Sequence, residues 1–198
     1  MTSRASTSKR PRGDVGVAMV EAACRLLATE GPDALTTRRI AAEAGTTTMT
    51  LYARFGDKDG VEQAVIVEGF TRLKSAMQRA AKRSKDPVHG VLAVARAYRR
   101  FALDNPAFYA AMFQRAGKVV LPSAEGHRLG AETFGVLAGV VQRAIDSGVV
   151  DADVDLVTRR VWAMCHGVVS LELVGMGAAS DADFDGSIRA VLDGHAAP

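Results

Sequence analysis

The chain lacks any run of the ~18 continuous apolar residues that a membrane-spanning helix needs, so no membrane segment is expected. Its N-terminus carries charge without an apolar stretch, unlike a secretory signal, and a soluble cytoplasmic protein is expected. Strand patterns are nearly missing as well; Val119-Val120-Leu121-Pro122 is too short to build a sheet on. There are two cysteines, Cys24 and Cys165, each inside a helical pattern and without metal-ligand spacing, as befits small buried thiols. The four histidines, His89, His127, His166 and His195, form no metal pair, and there is neither a nucleophile elbow nor a phosphate loop. No metal and no cofactor are therefore expected, and an enzyme is disfavoured. A helical enzyme using His166 and a helical interaction module that does not meet DNA stand as the rival readings.

Charge of one sign is also scarce in bulk: the formal net charge is only +3 although the sequence pI is about 9.1. Distribution therefore says more than the total. Residues 1–12 hold Arg4, Lys9, Arg10 and Arg12 with no acidic residue, and read as a disordered basic arm. Such an arm is either a solvated tail or a tail that follows a phosphate backbone or enters a minor groove. What the chain does have, at 198 residues and 48% hydrophobic, is enough apolar material for a buried core in one or two domains.

The stretch 36–58, TTRRIAAEAGTTTMTLYARFGDK, organises the rest. Thr36 precedes a run in which Ile40, Ala41 and Ala44 share a face, and so reads as an N-cap. Gly45 stands where the helix must reverse, and glycine alone takes a left-handed conformation cheaply. Thr47 caps the next short helix, with Leu51 and Phe55 turned inward four residues apart. Asp57 caps a third helix, with Asp59 in its first turn. Two helices joined by a turn of three or four residues, the second exposed and rich in hydroxyls, form a helix-turn-helix and point to DNA.

A recognition helix must present short hydrogen-bonding or apolar side chains to base edges. Thr47, Thr48 and Met49 open the exposed end of the second helix, where such contacts fall; the bland alternative is that Thr46–Thr48 only cap a turn. Thr36 and Thr37 lie at a helix start whose free N–H groups favour an anion, and Arg38 reaches a base or a phosphate.

The run AACRLLATEGPDALTTRRIAAEAGTTTMTLYARFGDKDGVEQAV resembles the N-terminal domain of the TetR family of bacterial transcriptional regulators. The matching positions are Ala22, Ala23, Leu26, Leu27, Gly31, Ile40, Ala41, Ala44, Gly45, Leu51, Tyr52, Phe55 and Lys58, about the first third of the chain. Thr46, Met49 and Arg39 depart from the commonest pattern, Arg39 replacing an acidic residue that would complete a capping box. The resemblance implies that Tyr52 meets the DNA backbone and that Lys58 contacts a phosphate. It implies three parts: the arm at 1–12, a helix-turn-helix domain at 13–58, and a helical ligand-binding and dimerisation domain at 59–198.

Before this stretch, a helix is expected from about Asp14 to Glu30, with Val17, Val20, Cys24 and Leu27 on one stripe and Gly31-Pro32 ending it. After it, a long helix runs from about Lys58 to Arg83, and Asp86-Pro87 opens another whose face holds Val88, Val91, Leu92, Ala95 and Ala102. A short apolar helix follows Asn105-Pro106, and residues 117–126 read as a loop. Helices are expected at about 127–147, from Asp153, and at about 182–192. The face of the second of these is read as Val157, Val161, Met164, Val168 and Leu171. The whole is expected to be all-α, about nine helices, with a packed C-terminal bundle.

The run VWAMCHGVVSLELVG resembles the C-terminal part of a subset of the same regulators, and its spacing puts Trp162 and His166 on one face. The resemblance implies a small-molecule pocket, for which Phe70, Met77, Phe101, Phe113, Phe134, Trp162 and His166 are the candidates. Ordinary aromatic core is the alternative for each. A homodimer is expected through the last helices, with Ala163, Gly167, Ser170 and Val174 giving close approach and Ile188 and Val191 opposite. Two protomers would then read a near-palindromic operator, and an unidentified effector would release a repressor from it by linkage.

Overall fold

The computed structural model describes residues 12–113, 123–177 and 180–196. The expected basic arm lies outside them except for Arg12, which opens the first helix, and so does the loop as far as residue 122. Among the described residues there are nine α-helices and no strand, only an isolated bridge between Val150 and Ala196. The chain divides into two compact units after Val65.

In the first unit, α1 (Arg12–Glu30) buries Met19, Ala22, Ala23, Leu26 and Leu27. The expected stripe through Val17 is one residue off: Val17 is 57% exposed, and the inner row passes through Gly16 and Met19 instead. Gly31 closes α1, with its N–H on the Leu27 carbonyl, and Pro32–Ala34 form a single 3-10 turn. Helix α2 (Thr37–Glu43) starts at the Thr36 cap, whose hydroxyl accepts from the Arg39 N–H at 3.3 Å.

The end of α2 is where the chain turns. Gly45 has φ 65°, its N–H donates to the Ala42 carbonyl, and the Thr46 N–H donates back to the Ala41 carbonyl at 2.8 Å. That pair satisfies two of the carbonyls a helix end leaves open, in a conformation a side chain would strain. Helix α3 (Thr48–Phe55) follows, then α4 (Lys58–Arg83), capped by Asp57, whose carboxylate accepts from the Gly60 N–H at 2.8 Å. A Cβ on Gly60 would sit 1.9 Å from the Phe55 carbonyl oxygen, so only glycine lets α4 begin this close to the end of α3. Ile40, Ala41, Leu51, Val61 and Val65 complete this small core.

The second unit takes up α4 from Ile66 and adds α5 (Pro87–Asp104), α6 (Pro106–Phe113), α7 (Ala124–Asp146), α8 (Val154–Leu173) and α9 (Asp181–Asp193). Helix α5 is its axle, packing on α6, α7, α8 and α9. Its sequence explains why: Val91, Leu92, Val94, Ala95, Tyr98, Phe101 and Ala102 are all buried, more than half of the circumference. Helix α7 begins three residues earlier than expected, because the Ser123 hydroxyl accepts from the Gly126 N–H and caps it. On α8 the buried row is Val157, Val161, Cys165 and Val169; Met164 and Val168 are half-buried and Leu171 is exposed. The helix is crowded by α5, α7 and α9 together, and that selects a row four residues apart over the expected one. Helix α9 starts with a full capping box between Ser180 and Asp183.

Candidate nucleic-acid interface and effector cluster

Helix α3 is anchored by one side chain and offers the rest. Leu51 is 0% exposed, whereas Met49, two residues before it, is 80% exposed, with Thr48 and Tyr52 also outward. The Thr47 hydroxyl is already engaged: it accepts from the Thr50 N–H at 3.2 Å and lies 2.9 Å from the Thr50 hydroxyl. Thr47 therefore fixes where the helix starts, leaving Thr48 and Met49 as the uncommitted side chains of its first turn.

Around that turn stand the polar groups singled out in the sequence. Thr37 and Tyr52 are brought together, their hydroxyl oxygens 3.5 Å apart across α2 and α3. Arg38 is exposed and has no carboxylate partner among the described residues. Its neighbour Arg39 is committed, gripping Glu30 with two bonds of 2.5 and 2.7 Å, and Arg25 holds Glu43 at 3.0 Å. These two pairs staple α2 to α1, which is what Arg39 does in place of a capping box. Lys58 opens α4 and leans on Glu62 at 3.2 Å, a solvent-exposed pair worth at most about 1 kcal/mol and easily traded for a phosphate.

In the second unit five of the seven expected pocket residues meet through ring contacts: Phe70, Phe113, Phe134, Trp162 and His166. They come from α4, α6, α7 and α8. Phe101 contacts Phe108 instead, and Met77 is buried farther along α4. The cluster centres on a residue the sequence reading passed over as core, Tyr98 of α5, with ring centroids 5.2 Å from Trp162 and 5.0 Å from His166. Tyr109 joins it, its hydroxyl 3.0 Å from that of Ser170.

The protonation states follow from burial. Burial pushes the Tyr98 phenol above its ordinary range, with Tyr109 adding in the same direction, so it is a neutral donor. Among the described residues the Tyr98 oxygen is buried without a hydrogen-bond partner, although the Tyr109 ring lies edge-on to it with centroids 6.4 Å apart. Burial lowers the His166 pKa, the Trp162 carbonyl opposing it only in part, so the imidazole is neutral near pH 7. His166 Nδ1 lies 3.0 Å from that carbonyl and must carry the proton to donate, which leaves Nε2 as an acceptor. Burial pushes the Cys165 thiol up to about 12, so it is inert packing. Among the described residues no group of three or more His, Cys, Asp or Glu side chains can hold a metal.

The family model described as bacterial regulatory proteins of the tetR family matches residues 19–65. A second, described as the tetracyclin repressor-like C-terminal domain, matches residues 91–195, more than half of the chain. The chain belongs to the TetR family. An HTH-type transcriptional regulator of Mycobacterium tuberculosis is 29% identical over 167 residues, 83% of this chain and 73% of that one. Two solved structures share the fold. One is a protein of unknown function from Rhodococcus (TM-score 0.82, 24% identity, 92% of this chain and 95% of that one). The other is a TetR family transcription regulator from Marinobacter aquaeolei (TM-score 0.73, 21% identity, 94% and 98%).

As a TetR family member the chain is a DNA-binding transcriptional regulator and not an enzyme, and the reading as a helical enzyme or interaction module is not favoured. Membership brings operator DNA, a second protomer and a small molecule as its classes of partner. No helix among the described residues is long and apolar enough to cross a membrane.

One expectation about the second protomer needs correction. Ile188 is 0% exposed and belongs to the core, so it is not available to a dimer surface. Ser170 is partly buried and engaged with Tyr109. Ala163, Gly167 and Val174 are exposed as expected, and Leu171 and Met176 extend them with apolar surface the sequence reading left out. Also missed was the ion-pair set beneath: Arg99 holds Glu172 at 2.7 and 2.9 Å and Asp181 at 2.6 Å, with its guanidinium over the Phe184 ring. Its signal was present, as Arg99 stands between the buried aromatics Tyr98 and Phe101 on α5, but the carboxylates lie more than seventy positions away.

Proposed function

We propose that this TetR family member is a homodimeric repressor that α3 docks in the major groove of a near-palindromic operator and that a small molecule releases. The observation that carries the proposal is the orientation of α3, with Leu51 sealed inside and Thr48 and Met49 free at its N-terminal turn. Side chains of that size let a helix approach base edges closely: threonine bonds a base or touches a thymine methyl, and methionine makes apolar contact only. Thr36, Thr37, Arg38, Tyr52 and Lys58 would hold phosphates on either side, and Thr47 would set the helix start.

The second protomer would cover the outer face of α8, where Ala163 and Gly167 allow close approach and Leu171, Val174 and Met176 supply apolar area, with Val191 of α9 at its edge. The effector would occupy the ring cluster of Phe70, Phe113, Phe134, Trp162 and His166. Two features favour such a role over plain core: four of those rings stay half-buried, and a buried hydroxyl beside them is unbonded. Helix α8 carries His166 inward and Gly167 outward, so a ligand that shifts this helix changes the protomer contact as well. Coupling to DNA then follows by linkage, with α4 as the continuous element. The site of action would be the cytoplasm, where the operator is.

A gel shift with operator DNA selected from a random pool, run as a salt series, tests this reading. Lys58→Ala should weaken binding to all sequences alike and reduce the salt slope by about 1. A salt-independent complex, or a Lys58 variant that binds as the wild type does, would contradict it.

A further inference from the structure

We infer that the aromatic cluster binds an uncharged, flat aromatic molecule bearing a hydroxyl group, held between the Tyr98 hydroxyl and Nε2 of His166. The inference rests on the reading of this cluster as the effector site and names the chemistry that site takes. Tyr98 is 1% exposed, and its oxygen has no hydrogen-bond partner among the described residues. A buried phenol normally finds one, so an unbonded one on a ring packed against Trp162 and His166 marks a place that something else can complete. His166 supplies the complementary group. Its Nδ1 is turned to the Trp162 carbonyl at 3.0 Å, so Nε2 faces away with its lone pair open. One donor and one acceptor on rings whose centres are 5.0 Å apart match a single hydroxyl, which accepts from the first and donates to the second.

The remaining surface is π-face and ring edge. Phe113 stands edge-on to His166 with centroids 4.7 Å apart, and Phe134 edge-on to Trp162 at 5.7 Å. Another flat ring would join this cluster in the same offset or T-shaped manner, with the half-buried rings giving way to admit it. Charge is what the site does not offer. On α5, Arg99 is taken by Glu172 and Asp181 and Arg96 by Asp185, and among the described residues cations stand over Phe108 and Phe184 but over no ring of this cluster. An anionic ligand would therefore lose its water with no cation in return, and a carboxylate would meet the Nε2 lone pair with one of its own. Phenols fit; aromatic acids do not.

Trp162 is the only tryptophan in the chain, so its emission reports on the cluster alone. Naphthalene, naphthol and naphthoate, titrated into the full-length protein at neutral pH and followed by Trp162 emission and calorimetry, separate the contributions. Naphthol should bind saturably and about tenfold more tightly than naphthalene, the gain of a hydrogen-bonded hydroxyl in a desolvated site, with naphthoate weaker than naphthol. Tyr98→Phe removes only an unbonded oxygen, should melt no lower than wild type, and should bring naphthol down toward naphthalene while leaving naphthalene unchanged. His166→Phe should do the same from the acceptor side. Naphthoate binding as tightly as naphthol, a hydroxyl preference that survives Tyr98→Phe, or no saturable naphthol binding would each overturn the inference. A gel-shift arm keeps it distinct from the regulatory reading. Naphthol binding without any effect on operator DNA would sink the effector role and leave the ligand chemistry standing. Release of DNA by other compounds, with naphthol inert, would sink the ligand chemistry and leave the effector role.

Discussion

The two units hold their candidate functional groups in opposite ways. In the first, they are exposed residues whose directions are fixed by caps and turns close by in the chain: Thr36 and Thr47 start two helices and Gly45 reverses between them. In the second, they are buried or half-buried rings contributed by α4, α5, α6, α7 and α8, which meet only because those helices pack. A surface set by local backbone geometry tolerates substitution of its contact residues without loss of fold. A cluster set by packing does not, since each ring is also core. The difference suits the tasks, because base readout can diverge freely only where the reading residues carry no structural duty.

The largest expected effect lies in the second unit. Glu172→Ala should cost about 3 kcal/mol or more, because it removes both bonds this carboxylate makes to the Arg99 guanidinium, only 12% of whose side chain is exposed, and leaves the charge over the Phe184 ring with the exposed Asp181 as a weaker partner. Thermal melting with the Arg99→Ala and double variants checks it; a double variant as stable as the wild type would fit a costly buried pair, whereas a harmless single one would not. In the first unit the comparable loss should come from Leu51→Ala, about 2 to 5 kcal/mol for emptying the site that seats α3. Operator binding should fall with it, in contrast to Thr48 or Met49 variants that keep wild-type stability.

A smaller effect sharpens the contrast through pH. All four histidines lie beyond Val65, so only the second unit has imidazoles to titrate. His166 is held below its ordinary value of 6.5 by burial, so as pH falls through that value the unfolded chain takes up a proton before the folded one. Stability should therefore fall between 6.5 and the lower folded pKa, then level off, with no contribution above 6.5. His166→Phe should flatten this limb of a chemical-denaturation series; a limb unchanged in the variant would assign it to another group.

The same contrast decides what was legible in the sequence. Thr36, Gly45, Thr47, Asp57 and Asp86 were readable as caps or turns because each acts on backbone three residues away or fewer. Trp162 and His166 were readable as a pair because a helix repeats every four residues. Tyr98 was not, since its sequence neighbourhood is that of any core aromatic and only the packed helices show that its hydroxyl is unbonded. Ile188 was misplaced for the converse reason: the apolar pattern of α9 cannot say which of its faces meets α8 and α5 and which would meet a second protomer. Val17 and Leu171 fell outside for a simpler one, as a row expected every three or four residues shifts by one when the neighbours cross at an angle.

Everything proposed for the first unit comes down to the first turn of α3 meeting base pairs. Selection of bound DNA from a random pool, by the wild-type chain and by Met49→Ala in parallel, tests it most directly. A two-fold symmetric motif is expected for the wild type, and loss of preference at one position in each half-site for the variant, with its stability unchanged. The same motif enriched by both proteins, or no motif enriched by either, would contradict it.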